Sequence, residues 1–75
     1  MKVTKTQALM YILTTLLDKK ELYKADIINL FEISDTVFRR YMQEVRAYFC
    51  NFNVPYELKY SKSNAKYYLI YQYLS

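Results

Sequence analysis

Glycine and histidine are absent from this chain, and cysteine and proline occur once each, as Cys50 and Pro55. Each gap removes a class of chemistry. A P-loop or a dinucleotide-binding turn needs residues that reach positive φ and let backbone approach phosphate closely, so no such loop can be built without glycine. With no histidine and a single thiol there is no zinc-finger ligand set, no Ser-His or Cys-His nucleophile and no intrachain disulfide. Cys50 suits a reducing compartment and reads as a small residue near the end of a helix, with no redox role. No apolar stretch approaches the length that spans a bilayer, and no basic start leads into an apolar run with a small-residue cleavage site. A soluble, cytoplasmic protein is expected. Asp18, Glu21 and Asp26 are matched by neighbouring lysines, so no catalytic carboxylate pair is assembled. No enzyme, no cofactor and no metal is expected from these residue types.

What remains is the composition of one globular domain: 75 residues, 53% hydrophobic and 24% charged. So short a chain buries only about 60–65% of its unfolded surface, and its core must be rich in large side chains. Ten Tyr and four Phe meet that need.

Charge is unevenly placed. Residues 1–38 carry five Lys and five acids, whereas residues 39–75 carry six cations and two acids, so the whole net charge of +4 and every Arg lie in the second half. A guanidinium fork matches phosphate and guanine edges in a way the lysine point charge does not. A solvated, solubilising surface is the plain alternative.

Periodicity supplies the elements. Thr4 is a candidate N-cap, and Leu9, Ile12, Leu13, Leu16 and Leu17 then recur on one helical face. This spacing predicts a helix over 5–19, closed by Asp18-Lys19-Lys20. Glu21-Leu22 is a connector with room for one extended pair, a very short strand before the next helix. Ile27, Ile28, Leu30 and Phe31 predict a second helix over 24–31. Ser34 is the next N-cap, with Asp35 where the helix dipole favours an anion. Phe38, Tyr41, Met42, Val45 and Phe49 share one face, with Thr36, Arg39, Arg40, Gln43 and Arg46 on or beside the opposite one. A third helix over 35–50 follows, with Asn51 and Asn53 at its C-terminal side and Pro55 forbidding continuation. From Tyr56 the period becomes two. Tyr56-to-Tyr60 and Lys66-to-Tyr71 flank the polar loop Ser61-Lys62-Ser63-Asn64-Ala65, a hairpin over 56–71 in which Asn64 is the residue best able to take positive φ. The tail from Gln72 to Ser75 reads as frayed. The fold class is mostly α with a small β-hairpin.

Ile27-Ile28-x-x-Phe31-x-Ile33-Ser34-x-x-x-Phe38-Arg39-Arg40 resembles the helix-turn-helix at the N-terminus of DeoR-type (helix-turn-helix type 11) bacterial transcription regulators. In that family a short helix ends at an aliphatic-Ser turn and an aliphatic-Arg-Arg opens the next helix. Residues 55–71 are similar to its winged-helix hairpin, with a Tyr-Tyr-Leu return strand. The resemblance covers nearly the whole chain and implies a three-helix winged helix-turn-helix from a bacterial or phage regulator. The family usually has Gly where Glu32 stands, so a residue with a Cβ must make that turn here.

The residues themselves point the same way. The second helix of a helix-turn-helix enters the major groove with its N-terminal side chains against base edges. Ser34, Asp35, Thr36, Arg39, Arg40 and Gln43 form an exposed, polar, long-armed run at that place. Arg binds guanine and Gln binds adenine in bidentate fashion, while Asp accepts from cytosine or orients an Arg. Lys59, Lys62 and Lys66 on the wing and Lys24 at the start of the second helix would meet backbone phosphates. Lysines on hairpins also serve to block edge pairing. The tyrosines Tyr56, Tyr60, Tyr67, Tyr68, Tyr71 and Tyr73 could stack single-stranded bases, but core packing, strand surface or a dimer patch is the simpler role. The expected partner is double-stranded DNA, with a homodimer or an attached effector domain to extend the contact, and no membrane. A winged-helix module for protein–protein interaction is the alternative.

Overall fold

The computed structural model describes residues 2–72. In chain order it comprises α1 (Lys5–Lys19), β1 (Glu21–Tyr23), α2 (Lys24–Phe31), α3 (Asp35–Asn51), β2 (Tyr56–Ser61) and β3 (Lys66–Tyr71). This is a small α+β domain of three helices and one three-stranded antiparallel sheet. The helix–helix–helix–hairpin order expected from periodicity is observed, and α3 runs one residue further than its spacing predicts.

Caps explain where the helices begin. The Gln7 N–H donates to Thr4 Oγ1 at 3.1 Å, and the Thr4 N–H donates to Gln7 Oε1 at 3.2 Å. This reciprocal pair satisfies two otherwise orphaned donors. At α3 the Val37 N–H donates to Ser34 Oγ at 3.1 Å, the cap expected of Ser34. α2 starts without a side-chain cap. Its first N–H, on Lys24, instead donates to the Ala65 carbonyl at 3.2 Å, which ties the end of the hairpin loop to the helix start.

The helix ends are made without glycine. Lys20, Glu32 and Asn53 all take positive φ, at 64°, 54° and 53°. Glu32 therefore makes the turn between α2 and α3 in the left-handed region despite its Cβ, as the missing glycine required. The hairpin loop solves the same problem at an unexpected position. Ala65, at φ 51°, is its left-handed residue, and Asn64 is not. Ser61 pairs with Lys66, so the loop is the four residues 62–65, one shorter than the polar composition suggests. Asn64 instead donates from Nδ2 to Ser61 Oγ at 3.4 Å.

The sheet order is β1-β3-β2. β1 is the very short strand that the connector had room for: three residues long, it pairs Glu21, Leu22 and Tyr23 with Tyr68, Tyr67 and Lys66. Only Leu22 of the three is buried. The register divides the sheet into two faces. Leu22, Tyr56, Leu58, Tyr60, Tyr67, Leu69 and Tyr71 point toward the helices. Glu21, Tyr23, Glu57, Lys59, Lys66, Tyr68 and Ile70 point away.

Ala8, Ile12 and Leu16 from α1, Ile27 and Phe31 from α2, and Phe38, Met42, Val45 and Phe49 from α3 meet Leu22, Leu58 and Leu69 of the sheet in one core. Tyrosine packing extends it: Tyr67 meets Phe38 edge-on, and Tyr56 meets Tyr71 likewise. The tail does not begin to fray at Gln72, whose N–H donates to the Pro55 carbonyl at 3.0 Å and whose side chain reaches Glu57. Tyr73 and the rest of the tail lie outside the described residues. Cys50 is an exposed free thiol on the last turn of α3. Among the described residues no helix is long and apolar enough to cross a membrane.

Candidate nucleic-acid interface

α3 is fixed from below and free above. Phe38, Met42, Val45 and Phe49 hold one stripe in the core, and Phe38 is wholly enclosed. Thr36, Arg39, Arg40 and Gln43 are consequently turned outward, and all four are exposed. Arg39 and Arg40 are neither folded onto the body nor covered by the hairpin; the Arg39 side chain is 71% exposed. Successive residues on a helix diverge by about 100°, so the two guanidinium groups leave in different directions. Arg40 stands with Gln43, Glu44 and Lys5 around a shallow depression on the α1 side. Lys5 pairs there with Glu44 at 3.3 Å. Arg39 leans toward the hairpin.

Asp35 organises that second side. Its Oδ2 accepts from Arg39 Nε at 3.0 Å, one turn on, and its Oδ1 faces the Lys24 ammonium. The hydrogen bond from Lys24 is the larger reason its carboxyl lies below the usual carboxylate range, with the charge of Arg39 adding to it. Of the two roles open to Asp35 on sequence grounds, orienting an arginine is the one this geometry contains. Lys24, which sequence placed as a separate phosphate contact, is thereby joined to the start of α3.

The three hairpin lysines are not gathered with the arginines. Lys59 pairs with Glu57 at 2.9 Å and Lys66 with Glu21 at 2.8 Å, both on the sheet face turned away from α3. These hydrogen bonds hold both ammonium groups above the usual lysine range, and the Glu57 carboxyl correspondingly below its own. Lys66 also lies over the Tyr23 ring, 5.7 Å from its centroid. Lys62 sits on the loop, exposed, with no ion pair among the described residues. Of the three, it alone is both uncompensated and at the tip.

Sequence reasoning set Arg46 on the solvent face and assigned it nothing. Its Nη1 donates to the Leu58 carbonyl at 2.9 Å, stitching α3 to β2. With Lys24, Phe38, Arg39, Tyr60 and Tyr67 it lines a cleft of about 220 Å³ between α3 and the hairpin. One signal was available: Asp35, Arg39 and Arg46 recur at i, i+4 and i+11, which is one side of a helix. Which strand tyrosines face that side follows only from the sheet register. Among the described residues no group of three or more Cys, Asp or Glu could hold a metal ion. Comparison with protein-family models, with curated proteins and with solved structures finds no match.

Proposed function

We propose that this chain is a winged helix-turn-helix domain, of the kind found in DeoR-type transcription regulators, and that it binds duplex DNA. α2 and α3 form the helix-turn-helix, with Glu32 and Ile33 in the turn. The first half of α3 lies in the major groove, and β2 with β3 is the wing against the flanking backbone. One observation carries this reading. A helix of 17 residues, held from beneath by four buried side chains, offers Thr36, Arg39, Arg40 and Gln43 to solvent directly after its serine cap. Such a helix is about 25 Å long and fits a major groove about 12 Å wide. Arg39 and Arg40 read base edges together with Gln43. Lys62 touches phosphate. Lys59 and Lys66 contribute little to the attraction, because Glu57 and Glu21 already compensate them.

Selection of bound sequences from a random duplex pool, at two salt concentrations, tests the proposal. Enrichment of a short common sequence is the expected result, sharper at the higher salt, where the phosphate term common to all sequences is weaker. Absence of enrichment at both would reject it.

Protein–protein interaction is the second reading, and a specific feature favours it. Leu9, Met10, Leu13, Val45 and Tyr48, together with Thr6 and Glu44, line a largely apolar groove of about 270 Å³ between α1 and α3. Met10 is 62% and Phe52 69% exposed nearby. A second copy of the chain is the occupant that would also double the DNA contact, since one module meets few base pairs. Light scattering separates the cases: a stable dimer without a salt-sensitive DNA complex would favour interaction as the function.

A further inference from the structure

The cleft between α3 and the hairpin shares Arg39 with the duplex reading, which leaves Lys24, Arg46, Tyr60 and Tyr67 without a role. Of its six lining residues, Lys24, Arg39 and Arg46 are cations and none is an acid. Asp35 stands at the edge, tied to Lys24 and Arg39. Even with that carboxylate counted, two positive charges remain in excess around a small concave space.

Aromatic rings pack along one wall. Phe38 is fully buried and meets the Tyr67 ring at 5.7 Å between centroids. The Tyr60 ring lies 4.8 Å from that of Tyr67 and is still 42% exposed. The Leu58 carbonyl takes one N–H of Arg46 and fixes the guanidinium, whose other donors remain. Lys24, Arg39 and Arg46 all act on the Tyr67 phenol, so its oxygen lies in their common field. Burial outweighs them and holds the phenol protonated beyond its ordinary range. Tyr67 therefore remains an O–H donor at neutral pH.

Donors arriving from three elements suit a tetrahedral group with several charged oxygens better than a planar carboxylate with two. Guanidinium forks favour phosphate in particular. An exposed tyrosine ring beside them offers a stacking surface to a flat organic body. We infer that this cleft binds the phosphate of a nucleotide unit, its oxygens held by Lys24, Arg39, Arg46 and the Tyr67 hydroxyl and its base or sugar against Tyr60. Two sources carry that chemistry: a free nucleotide and the backbone of a nucleic acid. The site stands whether or not α3 reads a duplex.

The test is a nuclear magnetic resonance titration of the labelled chain at fixed ionic strength, with inorganic phosphate, adenosine monophosphate and a short DNA duplex added separately. Saturable movement of the signals of Lys24, Arg39, Arg46 and Tyr67 with the nucleotide, tighter than with inorganic phosphate, is the expected result. Tyr67→Phe keeps the ring against Phe38 and removes only the hydroxyl; it should weaken this binding roughly tenfold. Lys19→Ala, an exposed cation on the last turn of α1, should leave it unchanged. The same movement with the duplex but not the free nucleotide also supports the site and names the backbone as its source. Nucleotide binding without any duplex complex supports the site and removes the proposed function. Duplex binding that shifts Thr36, Arg40 and Gln43 while Lys24, Arg46 and Tyr67 stay still overturns the site and leaves the proposed function standing. Non-saturating shifts spread over all lysines, or a Tyr67→Phe chain that titrates like the parent, overturn it as well.

Discussion

Individual residues here do work that glycine usually does. Ala65 carries the hairpin loop through φ 51° with a Cβ that the left-handed region disfavours. That conformation costs a non-glycine residue roughly 1–2 kcal/mol, and glycine's extra entropy loss on folding returns roughly half of it. Ala65→Gly should therefore stabilise the domain by about 0.5–1 kcal/mol, raising Tm by about 2–8 °C in a thermal melt. Asn64 was the better candidate by side-chain type, but pairing of Ser61 with Lys66 shortens the loop and moves the left-handed position to its last residue. Asp35 behaves differently, through charge. Its carboxyl is held below 3.8 by Lys24, so its ion pairs stabilise the fold above that value. The contribution fades as pH falls through the depressed folded value. Denaturant midpoints measured from neutral pH downward should show the parent losing more stability below pH 3.8 than Asp35→Asn, which has no carboxylate to protonate.

At the level of elements, helices were legible and the sheet only partly so. A helix of this size announces itself by an apolar stripe and a cap: Thr4 with Leu9 to Leu17, and Ser34 with Phe38 to Phe49. β2 and β3 announce themselves by alternation. β1 was legible only as an extended pair, because three residues cannot display a period, and its pairing with β3, across 45 positions, had no local signal. Burial of one residue decides α3. Phe38 touches Tyr67 on the sheet and sits at 0% exposure among side chains of every helix, so Phe38→Ala should cost about 3–5 kcal/mol. In a domain this small that is a large share of total stability, and chemical denaturation should find the variant largely unfolded near room temperature. The candidate site was legible where it depended on α3 alone: Thr36, Arg39, Arg40 and Gln43 are outward for the same reason that Phe38 is inward. It was illegible where it depended on the sheet. Alternation puts Lys59 beside Glu57 on one face, but nothing in residues 56–71 tells that Lys66 meets Glu21, nor that Tyr60 and Tyr67 face Arg39 and Arg46.

Across the whole molecule, the charge asymmetry between the two halves resolves into separate surfaces. Every arginine belongs to α3, and the hairpin sets its own lysines against acids except at the tip. Arg40 and Lys62 are therefore cations of the proposed interface that no acid pairs among the described residues, Arg39 being shared with Asp35, and the proposed duplex recognition gives them a use. The most direct measurement is the affinity of the parent and of an Arg39→Ala, Arg40→Ala double variant for the selected duplex, over a range of salt. Each arginine lost at a base edge should cost about 1–3 kcal/mol and relax base preference, with the fold unchanged by circular dichroism. A double variant that binds as tightly and as selectively as the parent would contradict the account.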